Sequence, residues 1–281
     1  MSDLTLPQFS RSKFENEQLQ TVWNVLNRST STGLLKELYN GLAQEDRRPQ
    51  LSPDTKLAFG FDTNAIFRLG LTRQGPNAID YLSTLHNGPV IVPSQAVQEI
   101  WNNFLVGVEP KAKGAAKKLS ELESEMEVIG QELGPLGEAA KKAIQELVEF
   151  HGDWTDPSAL AIFDGTLKTL LDVADVSHVP REEFYSLALV RKETKTPPGF
   201  QDQSRNFGDY FIWADFLYGL ANADLSDVEA VVFVTNDQKQ DWSRNKVPHP
   251  VLVSEARSIS GKEFRLWTVE DFRTHAKKIV S

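Results

Sequence analysis

The sequence predicts an α/β protein with a doubly wound, mainly parallel β-sheet. Short apolar runs rich in valine, isoleucine and phenylalanine recur along the chain, and segments with helical apolar spacing lie between them. Strands that alternate with helices are typical of parallel sheets, because a helix returns the chain to the same end of the sheet before the next strand begins. Two of the runs end in acidic side chains, Asp62 and Asp237, which a buried strand by itself does not require.

The composition excludes several classes of protein. The chain has 281 residues and no cysteine, so disulfides and thiolate metal sites are excluded. A formal net charge of -9 argues against a general nucleic-acid coating protein, but it is compatible with an enzyme that meets a polyanion through a metal and a few cations. The N-terminus lacks a signal-peptide pattern and no window reaches membrane-spanning length, so we expect a cytoplasmic protein without membrane contacts.

The chain is predicted to begin with a helical extension over residues 1–52, and residues 53–281 are predicted to form the main domain. Apolar side chains at helical spacing predict two helices in the extension, over residues 14–26 and 34–42. The polar stretch that follows them is typical of a linker.

The main domain begins with two predicted strands. Residues 57–61 form the first apolar run, a helix is predicted from Asn64, and a loop is predicted through residues 75–76. Residues 88–94 form the second run, and Ser94 can cap the helix that follows. The predicted apolar stripe of that helix consists of Val97, Ile100, Trp101, Phe104 and Leu105.

An insert over about residues 109–150 has a different pattern. Its apolar residues first alternate spacings of three and four, then break at residues 134–137 and resume as a second stripe, which predicts a helical hairpin. Its mixed charges favour a packed structural arm over a nucleic-acid-binding one, and a homo-oligomer or a protein partner that binds through it is left open. The two stripes are Leu119, Leu122, Met126, Ile129 and Leu133, then Leu136, Ala140, Ile144 and Leu147.

The last third returns to alternating strands and helices, and it lacks several familiar motifs. Residues 229–237 and 263–268 are predicted strands, and residues 269–277 a closing helix. The chain has no glycine-rich phosphate loop and no nucleophile elbow. Its five histidines show no paired ligand spacing, which argues against zinc.

Four acids remain as candidates for chemistry: Asp62, Glu99, Asp209 and Asp237. The carboxyl ends of parallel strands share one edge of the sheet, where open α/β proteins bind ligands. Asp209 lies on the apolar face of a predicted helix over residues 206–220. Each acid also has a structural interpretation: Asp62 as a helix cap, Asp237 in a turn, Glu99 on the surface and Asp209 at a helix N-terminus. Converging carboxylates without histidine or cysteine predict Mg²⁺ or Mn²⁺.

Several stretches resemble the PIN domain family, and within it the PIN-like branch of bacterial proteins. The resemblance covers roughly residues 55–105 and 185–280 and says little about the extension or the insert. The matching stretches are FDTNAIF (61–67), VPSQAVQEIWN (92–102), PPGFQD (197–202), GDYFIWADFL (208–217), VVFVTNDQKQDW (231–242) and, for the closing strand and helix, SGKEFRLWTVEDF (260–272).

The resemblance implies a metal-dependent endonuclease, mostly for single-stranded RNA, that hydrolyses the phosphodiester in line without a covalent enzyme intermediate. Carried over, Asp62, Glu99, Asp209 and Asp237 are the metal-binding and catalytic candidates, supported by Thr63 and Thr235. Asp202 is a fifth acid, but Gln203 and Ser204 follow it where relatives commonly have lysines. The candidate substrate-binding residues are Asn64, Arg191, Lys192, Arg205, Asn236 and Lys239.

Other functions stay open at this point. The same site fits a structure-specific DNA nuclease, and PIN folds that have lost activity serve as binding modules. A phosphohydrolase of another doubly wound family is disfavoured, because residue 64 is Asn where that chemistry needs a second acid. Many relatives are toxins or defence effectors, and the resemblance admits that role here.

Overall fold

A computed structural model describes most of the chain. The described residues are 13–43, 51–70, 75–103, 117–118, 121–122, 124–125, 133–151, 157–201, 206–237 and 239–280.

A five-stranded parallel sheet forms the centre of the described structure. Its strands are Leu57–Phe61 (β1), Val90–Pro93 (β2), Ala174–Ser177 (β3), Ala230–Val234 (β4) and Glu263–Trp267 (β7). Their order is β3-β2-β1-β4-β7, so the chain winds outward from β1 in one direction and then, from β4, in the other. A short antiparallel hairpin consists of Ser243–Arg244 (β5) and Val247–Pro248 (β6). The predicted α/β, doubly wound sheet is confirmed.

Helices cover both faces of the sheet. In chain order they are Glu17–Leu26 (α1), Leu34–Ala43 (α2), Thr63–Gly70 (α3), Gly75–Thr84 (α4), Ser94–Asn103 (α5), Pro135–His151 (α6), Pro157–Val173 (α7), Arg181–Glu193 (α8), Gly208–Asn222 (α9), Pro250–Ser260 (α10) and Val269–Val280 (α11). No helix in these described ranges has the length and apolar character needed to span a membrane.

Strand β1 contributes side chains to two separate hydrophobic cores, because successive side chains of a strand point to opposite faces. Phe59 and Phe61 pack in the core that includes residues of α3, α4, α7 and α11. Ala58 packs in the other core, with residues of α1, α8, α9 and α10. All five residues of β1 are buried, as expected for a central strand of a sheet covered on both faces.

Helix α9 packs against the sheet, and Gly60 of β1 makes room for one of its rings. A Cβ atom on Gly60 would lie 2.2 Å from the ring of Phe216 in α9. A larger residue at this position would force the ring of Phe216, or the helix that carries it, to move. Because Asp209 is in the first turn of α9, this close packing also sets the position of its carboxylate.

The described part of the predicted N-terminal extension packs into the main core. Val22 and Leu26 of α1 are buried in the same cluster as the residues of α9. Trp23 makes an edge-to-face contact with Phe184 of α8, with ring centroids 5.3 Å apart. The division of the chain at residue 52 stays a prediction, but in space α1 and the domain share one core.

The structure differs from the sequence prediction at several elements. Strand β3 was not predicted, and α4 begins at Gly75, where a loop was expected. In α5 the predicted apolar stripe is partly wrong: Ile100 is buried, but Val97 is 45% and Trp101 68% exposed. The inward face also contains Ala96, one turn before Ile100, so the buried side of α5 is narrower than predicted. The other two stripe residues lie outside the described range.

The predicted second helix of the insert corresponds to α6. Its first apolar residue, Leu136, is 73% exposed, and Leu133 just before it is 48% exposed. Leu122 of the first predicted stripe is 47% exposed, and the rest of that stripe lies outside the described residues. The described leucines therefore show no packed seam, and the insert as an arm stays a prediction.

Candidate functional site

Asp62 and Asp237 follow neighbouring strands at the point where the strand order reverses. Phe61 of β1 pairs with Val234 of β4, so the residues after both strands leave the sheet side by side. The hydroxyl of Thr235 donates to Asp62 Oδ2 at 2.7 Å and accepts the N–H of Asp237 at 3.0 Å. Open α/β proteins bind ligands at this kind of crevice, outside the carboxyl ends of the strands.

The carboxyl group of Asp62 is buried, with 4% of the residue exposed. Its pKa is raised to about 7: burial raises it most, the bond from Thr235 lowers it, and the nearby carboxylates of Asp209 and Glu99 add to the increase. Removal from water and like charges both disfavour the ionised form. A nearby cation would therefore stabilise the ionised form of Asp62.

Glu99 reaches the same place from α5, which begins directly after β2. Its Oε2 accepts the hydroxyl of Thr63 at 3.2 Å, and its Oε1 accepts the side-chain amide of Gln95 at 3.0 Å. Gly208, at the start of α9, makes room for it, because a Cβ atom there would lie 2.4 Å from Glu99 Oε1. The half-buried carboxylate is thus held between α3 and α9 and is not a solvated surface group.

A lysine joins the other two acids. Lys239 Nζ lies 3.1 Å from Asp209 Oδ2 and 3.0 Å from Asp237 Oδ2. The buried indole of Trp242 also donates to Asp209 Oδ2, at 3.3 Å. Asp209 and Asp237 are partly shielded, with 20% and 12% of their side chains exposed. All four predicted acids therefore border the carboxyl edge of β1, β2 and β4.

In the chemistry of their donors, though not in their present spacing, these side chains fit an oxygen-preferring divalent cation. The donors are carboxylate and hydroxyl oxygens, the preferred ligands of Mg²⁺ and Mn²⁺. The ammonium of Lys239 already stands as a cation between two carboxylates. As arranged, no group of three or more acidic or histidine side chains in the described ranges is close enough to hold one ion. Full ligation would therefore need the acids to rearrange around the ion.

Of three further predicted substrate-binding residues, two lie in the described part of the chain and one lies outside it. Asn64 is exposed on α3, two residues after Asp62. Lys192 is half-buried, with Nζ 3.4 Å from the carbonyl oxygen of Asn206, just before α9. Arg205 lies outside the described residues. The role of Asn64 and Lys192 in binding substrate stays a prediction.

The side-chain oxygen of Asn236 has a structural role in the fold. Its Oδ1 accepts the N–H of Val269 at 3.2 Å and so caps the start of α11. Its Nδ2 is buried and has no hydrogen-bond partner among the described residues. A buried amide donor without an acceptor is costly, and an acceptor on a bound ligand would satisfy it.

The prediction that Arg191 contacts substrate is wrong. Its side chain is only 4% exposed, and its guanidinium binds Glu255 through two bonds of 2.7 and 3.1 Å. It also donates to the carbonyl oxygens of Leu26 and Pro197. Glu255 accepts the indole N–H of Trp213 at 2.8 Å as well. Arg191 faces α10 instead of the solvent and ties α1, α8 and α10 together.

The sequence analysis missed Asp215, a fully buried acid in α9. Its carboxylate binds both terminal nitrogens of Arg181, at 2.7 and 2.8 Å, and accepts the N–H groups of Val179 at 2.8 Å and Gln95 at 3.0 Å. These bonds fix α9 to the start of α5, and hence Gly208 relative to Glu99. The sequence did contain a signal for Asp215: it is an acid within a helix that is apolar on all sides. A charge buried there needs an opposite charge or hydrogen-bond donors beside it.

A second missed acid, Asp241, supports the PPGFQD stretch. It is fully buried, and its Oδ2 accepts the N–H groups of Gly199 at 2.8 Å and Gln201 at 3.4 Å. Asp202, the predicted fifth acid, lies outside the described residues. The described part of this stretch is therefore a loop held by an acid that follows β4.

The comparison with protein families matches this chain to the PIN-like domain over residues 111–251, which is half of its length. The match includes Asp209, Asp237 and most of the predicted insert, and it begins after Asp62 and Glu99. No curated protein and no solved structure matches the chain. PIN-like domains are generally nucleases and usually use divalent metal ions. With the matched half and the doubly wound sheet in agreement, the chain belongs to the PIN-like domain family.

Proposed function

We propose that the protein is a metal-dependent endonuclease that hydrolyses phosphodiester bonds in single-stranded RNA, with Mg²⁺ or Mn²⁺ as its cofactor. The observation that carries the proposal is Asp62, a buried acid at the reversal point of the sheet whose pKa is raised to about 7 and which has two further carboxylates beside it. A fold that needs only a helix cap has no reason to gather these charges. Membership of a family that consists generally of nucleases supports the same conclusion.

The acids have separate roles in this proposal. Asp62, Asp209 and Asp237 would hold the cation directly, and Glu99 would either bind it or orient a water molecule beside it. The hydroxyl groups of Thr235 and Thr63 hold Asp62 and Glu99 in place, at 2.7 and 3.2 Å. When bound, the divalent ion would activate the attacking water and neutralise charge on the phosphate.

The reaction adds water across one P–O bond, so that one product carries a phosphate monoester and the other a hydroxyl group. The attacking water and the leaving oxygen must lie on opposite sides of the phosphorus, which requires an open approach to the acids. Lys239 is 38% exposed at this edge, which leaves the site reachable from solvent.

Substrate would be held by few cations on an acidic protein. Lys239 lies between two of the acids and Lys192 lies against Asn206, just before α9, whereas the formal net charge of the chain is -9. Binding of a polyanion through a few cations weakens steeply with added salt, because each contact with a phosphate releases counterions. Asn64 and the unsatisfied Nδ2 of Asn236 add polar groups for sugar or phosphate oxygens.

A cleavage assay on labelled oligonucleotides tests the proposal. Single-stranded RNA, single-stranded DNA and flapped duplex DNA are incubated with the protein in Mg²⁺, Mn²⁺ or EDTA. We expect cleavage of single-stranded RNA that needs the metal and is lost in Asp237→Asn. Asp227→Asn is the matched control, since Asp227 is 81% exposed and pairs with Lys56, which precedes β1 at the opposite edge of the sheet.

Other outcomes would contradict the proposal. Cleavage that survives EDTA would exclude metal-dependent hydrolysis. A preference for flapped DNA would replace the proposed substrate with structured DNA. The absence of both cleavage and Mn²⁺ binding would leave a binding module without nuclease activity.

A further inference from the structure

Lys239 holds an unusual position among the acids of the site. Its backbone N–H donates to Asp237 Oδ1 at 2.8 Å, and its own ammonium turns back to Asp237 Oδ2 at 3.0 Å. The same ammonium lies 3.1 Å from Asp209 Oδ2, on a different element. One cation therefore bridges the residue after β4 and the first turn of α9.

The charges of the site explain why a cation is held there. Asp209 and Glu99 both lie near Asp62, so removing the ammonium would leave four carboxylates at one edge without this positive charge. Like charges at short range repel, and the partly shielded carboxylates feel this more than solvated ones. The ammonium thus stabilises the arrangement of Asp209 and Asp237 in the absence of metal.

The bridging ammonium and a divalent ion would compete for the same oxygens. Asp209 Oδ2 and Asp237 Oδ2 are both within 3.1 Å of Lys239 Nζ, and at that distance the ammonium fills the gap between them. The lysine side chain is 38% exposed and has a flexible four-carbon stem, so the ammonium can move outward while the backbone stays fixed by Asp237 Oδ1.

We propose that Lys239 is an exchangeable counter-cation of this site: its ammonium occupies the position between Asp209 and Asp237 in the metal-free protein and leaves it when a divalent ion binds. The inference rests on the proposed function, because it requires a metal at these acids. It adds that this chain carries its own competitor for the metal. After the exchange, the ammonium stays tethered two residues from Asp237, beside the phosphate to be cleaved.

The variant Lys239→Met tests the exchange by calorimetric titration with Mn²⁺. Met keeps the apolar length of the side chain and removes the competing charge, so Mn²⁺ should bind about fivefold to tenfold tighter, the scale of two partly exposed ion pairs. The metal-free variant should also melt at a lower temperature than the wild type. Lys56→Met is the matched control, because it removes a lysine that pairs with Asp227 at 3.2 Å at the opposite edge, and its Mn²⁺ affinity should equal that of the wild type.

A second measurement separates displacement from a general change of charge. In the full-length wild type, the ammonium resonance of Lys239 is followed by NMR during titration with Mg²⁺. We expect a signal protected from solvent exchange without metal, which shifts and loses that protection at the same Mg²⁺ concentrations that saturate the site.

The outcomes for the exchange and for the function are distinct. If the wild type binds metal but Lys239→Met binds it equally or more weakly, the exchange is refuted while the metal site stands. An Lys239 resonance that is unchanged at saturating Mg²⁺ refutes it as well. If neither protein binds Mg²⁺ or Mn²⁺, the proposed function itself fails and the inference fails with it.

Discussion

The hydroxyl of Thr235 donates to Asp62 Oδ2 at 2.7 Å, across the ends of the two central strands. This bond opposes the effect of burial, because it favours the ionised form of a carboxyl whose pKa is about 7. The residue after one strand thus tunes the acid after its neighbour.

Replacing Thr235 by Val should raise the pKa of Asp62 further and weaken Mn²⁺ binding several-fold, because the variant keeps the shape of the side chain but loses the donor. Carboxyl chemical shifts in a pH titration of the metal-free protein report the first effect, and calorimetry the second. Thr235→Ser keeps the hydroxyl and is the control. Equal Mn²⁺ affinity in the Val and Ser variants would show that the hydroxyl does not support the site.

Gly208→Ala should damage the site without damaging the fold. The new Cβ would lie 2.4 Å from Glu99 Oε1, so the flexible glutamate side chain must move away from α9. We expect weaker Mn²⁺ binding with little loss of stability.

Gly165→Ala in α7 is the matched control, because a Cβ there meets no atom within 4 Å. It should stabilise the protein by about 0.5–1 kcal/mol through helix propensity and leave Mn²⁺ affinity unchanged. Full Mn²⁺ affinity in Gly208→Ala would separate Glu99 from the metal site.

Strong local patterns made much of the fold predictable. The runs at β1, β2 and β4 are apolar because these strands are buried along their whole length, and each strand lies within three residues of its predicted range, as does β7. Strand β3 lies at the edge of the sheet, and its sequence ADVS leaves Asp175 and Val176 exposed, so no apolar run marks it. A short edge strand depends on its neighbour more than on its own residues.

The site was predictable where an acid follows a strand, as Asp62 and Asp237 do, lies on an apolar helix face, as Asp209 does, or lies in a helix that begins directly after a strand, as Glu99 does. Asp62, Glu99, Asp209 and Asp237 do meet at one edge, although their role as ligands stays a proposal. The role of Arg191 was not predictable, because its partner Glu255 is 64 residues away and in another helix. The position of a cationic residue near a motif in the sequence does not show whether its side chain points to the solvent or into the core.

The buried pair of Arg191 and Glu255 predicts a large loss of stability in Arg191→Met. Removing one partner leaves a buried carboxylate uncompensated, which costs about 3–5 kcal/mol. Arg257→Met is the control on α10: that arginine is 41% exposed and pairs with Glu37 at 2.8 Å, and its loss should cost about 1 kcal/mol or less. Urea denaturation measures both. Similar losses in the two variants would contradict the structural role given to Arg191.

The buried imidazole of His86 makes a destabilising contribution in mild acid. Burial lowers its pKa to about 4, whereas the unfolded chain keeps a value near 6.5. Above pH 6.5 the group is neutral in both states, and as the pH falls from 6.5 towards 4 the unfolded state alone takes up the proton. The contribution of His86 to the free energy of unfolding therefore falls over that window, by on the order of 2 kcal/mol at pH 5.

His86→Gln should remove this contribution, so between pH 7.5 and pH 5 the variant should gain about 2 kcal/mol of stability relative to the wild type, as measured by urea denaturation. His178→Gln is the control, since His178 is exposed, and its free energy of unfolding should change between the two pH values by as much as that of the wild type. An equal change in His86→Gln and the wild type would assign the acid sensitivity to other groups.

The raised pKa of Asp62 has the opposite effect on the stability of the folded protein. A carboxyl whose pKa is about 7 in the folded state and 3.8 in the unfolded chain favours folding when protonated, and that stabilisation is lost as the pH rises from 3.8 through 7. Asp62→Asn carries no charge at any pH. At pH 8 and without metal, the variant should therefore be more stable than the wild type by at least about 1 kcal/mol, and the gap should narrow at pH 5.

The change in melting temperature on adding Mn²⁺ at pH 8, compared between the wild type and Asp62→Asn, tests the metal centre most directly. A ligand that binds the folded state stabilises it, so Mn²⁺ should raise the melting temperature of the wild type. In Asp62→Asn the increase should shrink or vanish, because the buried carboxylate at the end of β1 is gone. An equal Mn²⁺-induced increase in both proteins would show that Asp62 is not a ligand and would contradict the proposed site.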